Sequence, residues 1–201
     1  QFDTLTLKMI APGHGPLVRF SLSRLYSDYR QWCQQQPSQT LKVALIYASA
    51  YGNTATMARA IAQGLIKAGV AVETINCEIA EPNEIVEAIQ ACDGFIIGSP
   101  TLGSHAPVQI QTALGIVLSS ATKTKLAGVF GSYGWSGEAI DLIENKLKDG
   151  GYRFGFEAIR IQFSPNLDAL DVCTTSGANF ARQLRTCLLY TSPSPRDDRP
   201  N

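Results

Sequence analysis

An apolar run, Leu41 to Ala48, leads straight into a hydroxyl-rich turn, Ser49-Ala50-Tyr51-Gly52-Asn53-Thr54, after which a helical pattern begins. A strand that is apolar along its whole length belongs in a parallel sheet covered on both faces. A turn at its carboxyl end that opens a helix gathers free backbone N–H groups and the positive end of the helix dipole, and together these attract an anion. The triphosphate-binding loop requires a Lys after its second Gly, yet the stretch from Leu41 to Ile66 has only Lys42, on the strand itself. The dinucleotide fingerprint requires three spaced glycines, and this turn has Gly52 alone. What remains are neutral donors: the hydroxyls of Ser49, Thr54 and Thr56, the amide of Asn53, and the backbone. Such a set suits a single phosphate without a metal. The plain alternative is a strand-to-helix turn capped by Ser and Thr.

Two further loops carry unusual residues. Ser99-Pro100-Thr101-Leu102-Gly103-Ser104-His105-Ala106-Pro107 has two prolines that stiffen it and one glycine that permits a backbone flip. Gly131-Ser132-Tyr133-Gly134-Trp135-Ser136-Gly137 presents two large aromatics among three glycines. Aromatics held on a glycine-rich turn suit the face of a flat conjugated ring. A phosphate turn beside an aromatic platform describes a site for flavin mononucleotide (FMN). Packing of Tyr133 and Trp135 against a neighbouring domain, and capping of the next helix by Ser99 and Thr101, are the structural alternatives. His105, alone between Ser and Ala, reads as a solvated loop residue.

These loops need elements to hold them, and from Leu41 onward strands and helices alternate. The pattern predicts helices over Thr54–Ala68, Pro82–Ala91, Val108–Ser119, Glu138–Lys148 and within Leu167–Leu189. It predicts further strands over Val70–Cys77, Asp93–Gly98, Lys125–Gly131 and Ala158–Phe163. Five βα units in about 150 residues make an α/β doubly wound five-stranded parallel sheet with helices on both faces. Right-handed crossovers favour the flavodoxin-like order 2-1-3-4-5. Its switch point lies between strands 1 and 3, at the carboxyl edge where the three loops emerge.

Composition sets outer bounds. Apolar residues at 45% and charged residues at 17% are those of a core-forming chain. Zero formal net charge gives nucleic acid no basic field. No apolar run reaches the roughly 20 residues of a membrane span. The five cysteines, Cys33, Cys77, Cys92, Cys173 and Cys187, form no CxxC pair and read as reduced, buried thiols. Residues 1–36 hold one short strand pattern, a Pro12-Gly13-His14-Gly15-Pro16 turn and one amphipathic helix, too little for a core of their own. They read as the tail of a preceding domain, joined by a polar linker to a domain over residues 37–188. Residues 189–201 read as a proline-rich, non-native extension.

The loops Ser49–Thr54, Ser99–Thr101 and Gly131–Gly137 resemble the flavin loops of the flavodoxin-like domain in flavodiiron proteins. The resemblance spans Leu41 to Arg185. Ile10–Pro16 resembles the end of that family's metallo-β-lactamase-like domain, with His14 in the place of the last diiron ligand. Leu102–Pro107 is similar to members from oxygenic phototrophs, which carry a further flavin-reductase domain. The resemblance implies FMN held by Ser49, Ala50, Tyr51, Gly52, Asn53, Thr54, Ser99, Pro100, Thr101, Leu102, Gly103, Gly131, Ser132, Tyr133, Gly134, Trp135, Ser136 and Gly137. It implies no acid–base residue here, and a diiron centre only in an intact parent.

In that parent, electrons pass from NAD(P)H through the flavin to diiron, which reduces oxygen to water or, in other members, nitric oxide. The implied partners are the diiron domain of the same or a neighbouring subunit and an NAD(P)H-linked flavin reductase domain, within a homo- or hetero-oligomer. The implied location is the cytoplasm, or the stroma of a chloroplast. The loops hold no carboxylate before Glu138, so the rim is expected to be carboxylate-free. The alternatives are a stand-alone flavodoxin-like NAD(P)H:quinone reductase and a flavin-free interaction module.

Overall fold

The computed structural model describes residues 41–191, with side chains through 187. The readings of residues 1–40, His14 among them, and of the tail from 192 onward lie outside the described residues.

Strand β1 (Lys42–Tyr47) lies inside the sheet, flanked on both sides, because every interior residue is apolar and can be covered on both faces. Its side chains alternate between two cores. Val43 and Leu45 join Met57, Ile61 and Leu65 of helix α1 (Asn53–Lys67) and Phe180 and Leu184 of helix α5 (Leu167–Thr191). Ala44 and Ile46 face the opposite way. There they meet helices α2 (Pro82–Ala91), α3 (Val108–Ser120) and α4 (Glu138–Asp149) through Ile89, Ile110 and Ile143. Strand period 2 thus delivers a two-sided core from one continuous apolar run.

The other strands are β2 (Ala71–Asn76), β3 (Gly94–Pro100), β4 (Leu126–Tyr133), β5 (Arg153–Phe154) and β6 (Ile159–Gln162). The order β2-β1-β3-β4-β5 matches the expected 2-1-3-4-5, and all these pairings are parallel. The fifth position differs in detail from the single expected strand. Both β5 and β6 lie parallel beside β4, the first pairing with Leu126–Ala127 and the second with Phe130–Tyr133. Between them the ladder is broken. A Cβ on Gly155 would fall 2.4 Å from the Phe180 ring, and Phe156 fills the space above Gly128.

Helix α1 stops in a Schellman turn: Gly69, at φ 75, donates to Ile66 O, and Val70 N–H donates to Leu65 O. Cys77, Cys92 and Cys173 are free thiols buried in the two cores. Burial pushes the thiol pKa of Cys77 and of Cys173 up to about 11, so they pack as small hydrophobes. Among the described residues no helix is long and apolar enough to cross a membrane.

Candidate functional site at the carboxyl edge of the sheet

The three loops meet. The Thr54 and Ser132 hydroxyls lie 2.9 Å apart, buried, and tie the first loop to the third. Thr101 N–H donates to Ser132 O at 2.9 Å and ties the second to the third. Ala48 N–H donates to Gly98 O, closing the seam between the first loop and β3. Switch-point topology places them so: β1, β3 and β4 are adjacent and parallel, so their carboxyl ends emerge side by side.

Strands claim more of the loop residues than expected. The β3–β4 ladder continues through the pairs Ser99–Gly131 and Pro100–Ser132, so these four residues are strand. Ser99 is fully buried, and its hydroxyl donates to Pro100 O at 2.8 Å. A Cβ on Gly131 would lie 2.2 Å from Ser99 O, so a bare backbone is required there for the strands to pair. The loops proper begin at Thr101 and Gly134.

The first loop turns on Gly52, which holds φ 80 at the N-cap of α1. With no side chain to cap the helix, the Ser49 hydroxyl does so remotely, accepting from Ala55 N–H at 3.0 Å. The Thr56 hydroxyl donates back to Gly52 O. The first turn of α1 carries no acidic residue. Its leading N–H groups, at Asn53 and Thr54, have no carbonyl within the helix to reach, and no acidic side chain of that turn competes for them. Tyr51 stands above this turn at 86% exposure.

In the second loop, Leu102 and His105 exchange backbone hydrogen bonds at 2.9 and 3.1 Å. Gly103 (φ 54) and Ser104 (φ 67) form the two-residue turn between them. Positive φ at both central positions is the type I′ hairpin geometry. The Thr101 hydroxyl oxygen is buried and has no hydrogen-bond partner. In the third loop Trp135 projects at 95% exposure, while Ser132 is buried and Tyr133 half-buried.

The rim is not carboxylate-free. Glu138 opens α4, and the fold brings it back between the second and third loops. There the Ser136 hydroxyl, then its own backbone N–H, and further the Ser104 hydroxyl and the charge of His105 hold its carboxyl below the ordinary glutamate range. Chain order shows Glu138 directly after the third loop but not its approach to Ser104 of the second, which is far away in sequence. His105 is exposed, as expected of a solvated loop residue.

Sequence reasoning missed one neighbour of the site, Phe163, which follows β6. Its N–H donates to Tyr133 O, and its ring lies beside Gly134. Residue type alone gives no sign of this. An open trough of about 750 Å3 also runs between the β5–β6 edge and α5, lined by Phe156, Arg160, Val172 and Arg182 among others. None of the three loops lines it. Among the described residues no cluster of His, Cys, Asp or Glu could hold a metal ion.

The donor set fits a flavin phosphate: helix N–H groups, neutral hydroxyls, a glycine that leaves the backbone bare, and exposed aromatics beside it. The partnerless Thr101 hydroxyl is the kind of group a bound ligand satisfies.

The comparisons agree with this geometry. The flavodoxin family profile matches residues 45–177. The chain is 98% identical over 186 residues to the putative diflavin flavoprotein A 4 of Synechocystis sp., which covers 92% of this chain and 31% of that protein. The chain thus spans about a third of the length of the curated relatives it matches. A metal-soaked Flv1 flavodiiron core from Synechocystis sp. superimposes with TM-score 0.81 at 57% identity, over 89% of this chain and 44% of that one. The flavodoxin-like domain of a Synechococcus sp. protein aligns with TM-score 0.64 at 30% identity, over 72% of this chain and 99% of that domain. With its sheet order, its three converging loops and these likenesses, the chain belongs to the flavodoxin family, as a flavodoxin-like domain of the kind found in diflavin flavoproteins and flavodiiron cores.

Proposed function

We propose that this domain binds FMN at the carboxyl edge of its sheet and serves as the electron relay of a larger flavodiiron oxidoreductase. The observation that carries the proposal is the linkage of the three loops through Ser132, by Thr54 on one side and Thr101 N–H on the other. Bound FMN would supply hydride acceptance and one-electron transfer. The α1 N-terminus and the Ser49–Thr54 turn would hold the phosphate. The second loop, from Thr101 through Leu102 and Gly103, would help hold the ring, with the partnerless Thr101 hydroxyl free to bond to it. The turn from Tyr133 through Gly134, Trp135 and Ser136 to Gly137 would offer the aromatic surface for it and shield it from water. Ser99, Pro100, Gly131 and Ser132 set the spacing of these loops through the β3–β4 ladder rather than through their side chains.

In the parent protein, electrons from NAD(P)H would enter through a flavin reductase domain. They would leave to a diiron domain of the same or a neighbouring subunit, His14 supplying one ligand, for reduction of oxygen to water or of nitric oxide. Residues 1–36 would then be the end of that diiron domain and residues 37–188 the relay. The parent would be an oligomer in the cytoplasm or stroma. The near-identity to a diflavin flavoprotein and the fit to a flavodiiron core support this reading over a stand-alone quinone reductase or a flavin-free module.

The test is titration of the purified, flavin-stripped chain with FMN, followed by tryptophan fluorescence and flavin absorbance. One FMN per chain, with no NAD(P)H-driven quinone turnover, is the expected result. Absence of binding would leave the flavin-free module, and brisk quinone reduction would leave the stand-alone enzyme.

A further inference from the structure

Phe163 sits in the left-handed region, at φ 58. A bulky L-residue crowds its own carbonyl there, and only Gly, Asn and Asp visit the region readily. Burial does not compensate, because the residue is 61% exposed. Strain of this kind persists where the surroundings over-determine it, and it gathers at functional sites. The surroundings here are the third loop. Phe163 N–H donates to Tyr133 O at 2.7 Å, and Gln162 Nε2 donates to Gly134 O at 3.0 Å. The ring edge lies 3.6 Å from where a Cβ on Gly134 would stand. Two consecutive residues leaving β6 therefore grip two consecutive residues of the turn that carries Trp135. Gly134 has the most backbone freedom in that turn. A phenyl leaning on it, with its carbonyl held by Gln162, removes that freedom before any ligand arrives.

We propose that Gln162 and Phe163 are positioning residues that pre-organise the Tyr133–Trp135 turn for a flat flavin ring; the inference rests on the FMN reading above. Pre-organisation raises affinity by cutting the ordering cost of binding. It would act on the ring and not on the phosphate, which the FMN reading assigns to the first loop. Ligands with and without the phosphate therefore separate its effect from general damage.

The experiment uses the flavin-stripped full chain, with Phe163→Gly, Phe163→Tyr and Gln162→Met. FMN and riboflavin binding are measured by fluorescence, inorganic phosphate by its competition with FMN, and stability by thermal melting. Phe163→Gly is expected to melt no lower than wild type, because glycine accepts φ 58. It should nevertheless bind FMN and riboflavin about tenfold more weakly, with phosphate competition unchanged. Gln162→Met should weaken both flavins in the same ratio to each other, and Phe163→Tyr should bind as wild type does. The inference is overturned if Phe163→Gly binds both flavins like wild type, or if phosphate binding falls with them. A loss of affinity that merely tracks a lowered melting temperature overturns it as well. If wild type itself binds neither flavin, the FMN reading fails and takes this one with it; if wild type binds and the variants match it, this inference alone fails.

Discussion

The seam between α1 and α5 and the loop rim at the carboxyl edge both depend on glycine, for opposite reasons. At the seam the two helices cross so closely that a Cβ on Gly64 would lie 2.0 Å from Thr174 O, and one on Gly177 would lie 2.2 Å from Ile61 O. Both obstacles are backbone and cannot swing aside. At the rim, Gly52 has nothing within 4 Å of its missing Cβ but holds φ 80. Bare backbone at the seam lets two helices touch, whereas bare backbone at the rim leaves N–H groups open to a ligand. Damage to the first should lower stability and spare binding, and damage to the second should do more to binding than to stability.

The largest effect is expected at the seam. Gly177→Ala forces α1 and α5 apart, an overpacking cost of about 3 kcal/mol. In a domain of this size that lowers the melting temperature by about 6–12 °C. Circular dichroism checks the melt, and a titration on the folded protein should return an unchanged FMN affinity. Lost affinity without lost stability would erase the contrast.

Gly52→Ala comes next. The methyl meets no neighbour, so the cost is conformational, about 2 kcal/mol for an L-residue held at positive φ. FMN should weaken more than riboflavin, because the proposed site puts the phosphate at this turn. Equal weakening of the two would move the phosphate elsewhere.

Thr54→Val tests whether the loops are coupled. It strips the buried Ser132 hydroxyl of its partner, at about 1 kcal/mol, and adding Ser132→Ala should recover most of that. A double-mutant cycle measures the coupling, and simple additivity would mean that the two loops stand independently. Trp135→Ala, at 95% exposure, should shift stability by less than about 0.5 kcal/mol. The same change should loosen FMN about tenfold by removing an aromatic face.

The two regions also differ in how far the sequence discloses them. The apolar run of β1, the turn after it and the alternation of elements follow from periodicity, so the sheet order and the edge that carries the loops were legible. Where each hydroxyl points was not. Ser99 and Thr54 read as ligand donors, and in the structure the Ser99 hydroxyl bonds to Pro100 O and the Thr54 hydroxyl to that of Ser132, partners that no sequence pattern names. The two-residue β5 has no period to read, and Gly155 separates it from β6 because Phe180 needs the space. Phe163 was invisible since its role lies in a φ angle, and the seam glycines were invisible since closeness of two helices is a tertiary fact.

The smallest expected effect lies at the rim and concerns Glu138. Hydrogen bonds from Ser136, from its own N–H and from Ser104, with the charge of His105, hold its folded-state pKa below the ordinary glutamate value. A lowered folded-state pKa stabilises the protein above the unfolded pKa, and that stabilisation is lost as pH falls through the folded value. Glu138→Gln should therefore melt slightly below wild type at neutral pH and converge with it as pH drops below the ordinary carboxylate range. The side chain is fully exposed to solvent, so the gap is small and should narrow further as salt is added. Gly177→Ala, by contrast, has no titrating group at its clash, and its deficit should stay constant over the same acid range. Melting curves of both variants against wild type, from neutral to acid, decide it. A Glu138→Gln deficit that persists undiminished in acid would mean that the side chain supports the hairpin by packing rather than by charge.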